Sequence, residues 1–164
     1  TSLQDEGSNT NNIVVYLASG KQKYDIYTAT IHAAPNTNSN IITKGVLNEE
    51  AKALSRGMVK IESNAAGSNG YEKQDALLLS EQAEADAIPK LEIHNHDVKC
   101  SHGSTVGQID EDKIFYLMSR GLNKNQAIQK IVEGYFNPVI ELFNDSEIEE
   151  KINKSIIQSL DNGI

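Results

Sequence analysis

The chain has 164 residues, with 23 acidic against 15 basic side chains and a formal charge of −8. The acidic excess is even, 9 basic against 13 acidic residues up to Gly107 and 6 against 10 after it, so no basic face is available for nucleic acid. The length suits one ordinary domain or a part of something larger, no apolar run approaches the roughly 20 residues of a membrane helix, and a single cysteine makes no internal disulfide. A cytoplasmic protein is expected. The polar opening from Thr1 to Asn12, without an initiator Met, reads as a cut inside a longer polypeptide.

From residue 13 to about 107 the sequence is built of short apolar or alternating runs rich in Val, Ile, Tyr and Thr, separated by Asn, Ser, Gly and charged residues. Strands are predicted near 13–17, 24–31, 41–47, 58–62, 76–79, 91–93 and 98–102. In the second of these, Ile26, Thr28 and Thr30 share one face and Tyr27, Ala29 and Ile31 the other. Four runs start about 17 residues apart and no tight hairpin signal joins them; Asn69-Gly70 is placed in a longer loop. That spacing favours a β-solenoid, and so does the small aromatic content of 5%, which suits thin stacked coils. A β-sandwich stays open on spacing alone, since no residue-level repeat stands out.

After Gly107 the period becomes helical. Asp110 is a predicted N-cap for a helix carrying Ile114, Leu117 and Met118 on one face, with Gly121 at its end. Asn123 and Gln126 have capping-box spacing, and Ala127, Ile128, Ile131, Val132 and Tyr135 continue an apolar stripe until Pro138 kinks or breaks it. A last helix starts near Ser146 and carries Ile148, Ile152, Ile156 and Leu160. These stripes read first as packing surfaces. The expected division is therefore a β portion over 1–107 and a helical domain over 108–164.

The segment from Leu91 to His102 concentrates the chemistry, holding three of the four histidines and the only cysteine. Residues two apart on a strand project to the same side, so Cys100 and His102 share a face, and so do His94 and His96. Thiolate with imidazole suits zinc or the iron of an iron-sulfur cluster. One Cys and one His leave a metal short of ligands, and the remaining donors are expected from another chain or from His94, His96, Glu92 or Asp97. Two other readings remain beside this one: plain packing of Cys100 and His102, and a nucleophilic thiol activated by the imidazole. Phosphate-binding signatures are absent, since Gly67-Ser-Asn-Gly70 is not followed by Lys-Ser/Thr, so no ATP site is expected in this chain.

The run from Leu78 to Ile93, then Asp97-Val-Lys-Cys-Ser-His-Gly103, Thr105-Val-Gly-Gln-Ile-Asp110 and Phe115-Tyr-Leu-Met-Ser-Arg-Gly121, closely resembles the C-terminal half of the SufD branch of the SufB/SufD family. This family belongs to the SUF iron-sulfur cluster assembly machinery. His32-Ala-Ala-Pro-Asn-Thr-Asn-Ser-Asn40 and Lys44-Gly-Val-Leu47 also resemble it, extending the likeness over about 30 to 140. The resemblance implies a right-handed parallel β-helix followed by a small helical domain. It implies a scaffold subunit rather than an enzyme, paired with a SufB-like subunit and holding a SufC-like ATPase through its helices, here through Ile114, Leu117, Met118, Ile131 and Tyr135. It also implies a transient cluster built in the complex, with no cofactor expected on the isolated chain.

The SufB branch usually reads Glu-His-Glu where this chain has Ser101-His102-Gly103, and carries a Cys where this chain has Gln74, which favours the SufD branch. By the same resemblance His102 matches the histidine contributed to the assembly site and Cys100 the neighbouring cysteine. His94 and His96 depart from the family pattern. A purely structural subunit without iron or sulfur ligation is the alternative function, and self-association of a solenoid with open strand edges is expected when the usual partner is missing.

Overall fold

The computed structural model describes residues 1–163, with side chains placed through Leu160. Eight strands come first: β1 (Ser2–Leu3), β2 (Asn9–Ala18), β3 (Lys23–His32), β4 (Asn38–Leu47), β5 (Lys52–Ile61), β6 (Asn69–Leu78), β7 (Glu84–Ile93) and β8 (Lys99–Gln108). They form two parallel sheets in the orders β1-β3-β5-β7 and β2-β4-β6-β8. Consecutive strands therefore alternate between sheets, and the chain winds as a flattened parallel β-solenoid of about four coils. The sandwich alternative is excluded by this pairing, because every ladder joins strands one full coil apart.

Asn9 pairs with Asn38 and Asn38 with Asn69, so successive coils take 29 residues (38 − 9) and 31 residues (69 − 38). The period of about 17 seen in the sequence is the step from one sheet to the other, half a coil. Each of the seven full strands is 10 residues long, longer than its apolar run. Their polar halves, such as 9–12, 69–75 and 84–90, lie in strands because neighbouring coils hydrogen-bond them, whatever their own propensity. Asn69-Gly70 accordingly opens β6 and is not part of a loop.

A residue-level repeat does exist, at the corners. Gly7, Asn36 and Gly67 all have positive φ, at 74°, 56° and 71°, a region open to glycine and tolerated by asparagine. Their amides donate to Pro35 O (3.2 Å), Ala66 O (2.8 Å) and Asp97 O (2.7 Å), stitching each corner to the next coil. The repeat reads Gly7-Ser8-Asn9, Asn36-Thr37-Asn38 and Gly67-Ser68-Asn69. It sets the register, and register decides which side chains meet inside.

Three helices follow: α1 (Glu111–Ser119), α2 (Lys124–Ile140) and, after a 3-10 turn at Glu141–Phe143, α3 (Ser146–Gly163). Asp110 caps α1 by accepting from the amides of Asp112 (3.0 Å) and Lys113 (3.3 Å). Asn123 and Gln126 form a reciprocal capping box on α2. Pro138 lies inside α2 and the α-helix ends two residues beyond it, so it terminates the helix without a break at its own position.

The helices cover the outer face of one sheet. Ala127, Ile128, Val132, Phe136, Val139, Ile140, Ile156 and Leu160 form one core with Val46, packed on Ile13, Val15, Leu17, Ile42 and Leu77. Fully burying each of Val132, Phe136 and Val139 stabilises by about 1.5–3 kcal/mol. Lys44, projecting from the same face, donates to Tyr135 O at 2.8 Å and lies 4.4 Å from the ring centre of Tyr135. No helix among the described residues is long and apolar enough to cross a membrane.

Candidate functional site

Parallel register stacks inward-facing residues into ladders along the solenoid interior, one strand spacing of about 4.8 Å apart. In the sheet containing β4, β6 and β8 these ladders are Ser39–Gly70–Cys100, Ile41–Glu72–His102, Thr43–Gln74–Ser104 and Gly45–Ala76–Val106. Cys100 and His102 thus both face the interior from β8, the last strand of its sheet, whose far edge has no strand partner among the described residues. β7 ends the other sheet in the same way.

His102 is exposed at this open end. Cys100 is half-buried and packs against the cluster of Ile41, Val59, Ile61 and Ala65. Burial, reinforced by the negative charge of Glu72, pushes its thiol up from the usual range. A raised thiol pKa is the opposite of what nucleophilic catalysis requires, which argues against the activated-thiol reading.

Behind His102 lies a polar interior that sequence reasoning did not single out. Glu72 has no exposed surface. Its Oε1 accepts from Gln74 Nε2 at 2.5 Å, while Oε2 has no hydrogen-bond partner among the described residues. Desolvation raises its carboxyl pKa, opposed by the hydrogen bond from Gln74 and by attraction to His102. Gly57 on the facing sheet makes the room, because a Cβ there would overlap Glu72 Oε1 and Cδ and lie 2.6 Å from Gln74 Nε2. One coil earlier, His32 is fully buried between Thr37 Oγ1 and Ser39 Oγ, each 2.8 Å from a ring nitrogen, and burial lowers its pKa. The signal that could have found Glu72 is the alternation of β6, where Gly70, Glu72, Gln74 and Ala76 are all buried between exposed or half-buried neighbours.

The other predicted donors stand apart. Glu92 faces outward on β7, is held at about 2 by hydrogen bonds from His94 and Lys90, and lies 3.5 Å from Lys60. His94 and His96 are exposed at the corner after β7, and the amide of Asp97 donates to Asn95 Oδ1 at 2.8 Å in the same corner. Among the described residues no three His, Cys, Asp or Glu side chains converge to hold a metal ion.

Of the residues expected to dock an ATPase, Ile114 is buried in the helical core and Leu117, Ile131 and Tyr135 are half-buried against it. Only Met118 is exposed, at 43%, beside Phe115 at 73% and Tyr116 at 57%. Most of the periodic apolar stripe turns inward, as amphipathic stripes do, and the exposed apolar surface of α1 is made by Met118 together with Phe115 and Tyr116.

Residues 1–135 match the family described as SUF system FeS cluster assembly, SufBD core domain. The chain is 36% identical over 126 residues to the iron-sulfur cluster assembly protein SufD of Escherichia coli K12, covering 77% of this chain and 30% of the relative. It is 37% identical over 125 residues to the SufBD family protein Rv1461 of Mycobacterium tuberculosis, covering 76% and 15%. It is 33% identical over 136 residues to the iron-sulfur cluster assembly protein SufB of Bacillus subtilis 168, covering 83% and 29%. The chain therefore spans less than a third of the length of these curated relatives.

Proposed function

The chain belongs to the SufBD family of the SUF iron-sulfur cluster assembly system, and on that premise we propose that it is a SufD-like scaffold segment. It pairs with a SufB-like subunit, anchors a SufC-like ATPase and presents His102 to the forming cluster in the cytoplasm. The observation that carries this reading is the place of His102, an exposed imidazole on an interior-facing position of β8, at the unpartnered end of the solenoid. A strand edge of this kind offers unpaired backbone groups to a partner, and the remaining ligands of a metal site would come from that partner. Ser101, Gly103 and Gln74 at the positions where the SufB branch differs favour the SufD type.

Replacing His102 by Ala in the full complex is expected to lower anaerobic cluster yield about tenfold or more, the scale on which loss of a group at a metal centre acts. Because the side chain is exposed, the fold should survive the change. An unchanged yield with the complex intact would leave only the structural-subunit alternative.

ATPase docking on this chain is assigned to the exposed face of α1, formed by Phe115, Tyr116 and Met118. Large aromatic side chains dominate interface energies when they fill a partner's pocket. Phe115→Ser with Tyr116→Ser is expected to cut ATPase retention in a pull-down about tenfold or more with no loss of melting temperature. Ile114→Ala, by contrast, should lower stability by about 2–5 kcal/mol. Full retention by the double variant would move the docking surface elsewhere.

A further inference from the structure

The interior carboxylate of Glu72 has no role in the reading above, and its surroundings do not explain it as packing. A buried charge is costly unless paired, and here Oε2 has no hydrogen-bond partner among the described residues while Gln74 holds only Oε1. The fold nevertheless makes room for it, through the missing side chain at Gly57. Glu72 and His102 are register partners on adjacent parallel strands and both face the interior, so their Cβ atoms lie one strand spacing apart, about 4.8 Å. Side chains starting at that separation can converge on one ion between their tips.

We infer that Glu72 and His102 together form a carboxylate-imidazole pair that takes a single ferrous ion at the mouth of the solenoid. This inference rests on the reading of His102 as an assembly residue and adds to it a second protein ligand. One oxygen and one nitrogen donor suit iron(II), which favours mixed imidazole and carboxylate sets. A dication also neutralises the buried carboxylate, offsetting the cost of its desolvation. Gln74 is a positioning residue here, because its hydrogen bond to Oε1 leaves Oε2 as the free donor. Cys100 is left out of the pair, since it packs with apolar neighbours and burial raises its thiol pKa. The remaining coordination positions belong to water and to the partner subunit.

The test is anaerobic titration of the chain with cobalt(II), a spectroscopic substitute for iron(II), monitored through its visible absorption. Glu72→Gln and His102→Ala are each expected to weaken binding about tenfold or more. The double variant should lose little beyond either single change, because both donors share one ion. Melting curves at neutral pH keep misfolding out of the result, as Glu72→Gln retains the shape and should be no less stable than the parent. If Glu72→Gln binds cobalt as the parent does while His102→Ala does not, the pair is overturned and the role of His102 stands. If neither change alters binding, the pair is overturned as well, and cluster yield in the complex alone decides the role of His102. Additive losses would place the two residues at separate ions and also overturn it.

Discussion

Gly57→Ala is expected to destabilise the protein by about 3 kcal/mol, although it adds a single methyl group. The new carbon would occupy the space of the Glu72 carboxylate, overlapping Oε1 and Cδ, and would sit 2.6 Å from Gln74 Nε2. Neither side chain can retreat far, because both are buried with almost no exposed surface inside a flattened solenoid whose strands are locked by ladders on both sides. Overpacking of this kind usually costs 1–3 kcal/mol, and displacing Glu72 also breaks its hydrogen bond to Gln74, worth about a further 1 kcal/mol. For a chain of this length the melting temperature should fall by about 6–12 °C. The reciprocal experiment is Gly57→Ala combined with Glu72→Ala, which removes the group being struck. That double variant should recover most of the loss, giving a strong coupling energy in the cycle. A Gly57→Ala protein that melts with the parent would show that the interior is looser than these distances require.

The second large effect is on the pH dependence of stability. Burial raises the carboxyl pKa of Glu72 above its ordinary value of 4.5. Between the unfolded and folded values the native state holds a proton that the unfolded state has released, so stability falls as pH rises. The contribution of Glu72 is therefore fully present below about pH 4.5 and lost as pH climbs through the raised folded value. Glu72→Gln removes this loss, and is expected to be more stable than the parent at pH 7 by about 1 kcal/mol or more, with the advantage vanishing in acid.

His32 acts in the other direction. Burial lowers its pKa from 6.5, so its contribution is present above about pH 6.5 and lost on acidification. The difference between parent and Glu72→Gln isolates the carboxylate from this opposing slope. Equal stability of the two proteins across pH 4 to 8 would mean that Glu72 is not desolvated as its burial implies. A variant that gains stability while losing metal is the signature of a residue kept for function at the expense of the fold.

Much of this molecule is legible before any coordinates. The helix caps at Asp110 and Asn123 were readable because capping needs only residues three apart. The apolar stripes of α1 and α2 were readable because the helical period lies within a short window. What the stripes could not tell is which apolar residues stay outside: Ile114, Leu117, Ile131 and Tyr135 serve the core, while Phe115 and Tyr116 are exposed off the stripe. Strand ends were the weakest part, because polar segments such as 69–75 are strands only by virtue of the coils on either side.

From the amino-acid order alone came the acidic character of the chain, the change from strand to helix near Gly107, the Cys100 and His102 pair and the family likeness. All of these rest on composition or on residues close together along the chain. The tertiary structure alone decided that Glu72 is the register partner of His102, 30 residues away (102 − 72), that Gly57 makes room for it and that Cys100 turns into an apolar cluster. In a solenoid, neighbours in space are one coil apart in sequence, and the coil length is set at the corners by Gly7, Asn36 and Gly67. A shift of one residue at a corner would turn the interior side chains of the following strand outward, so the site exists only once the coils have stacked.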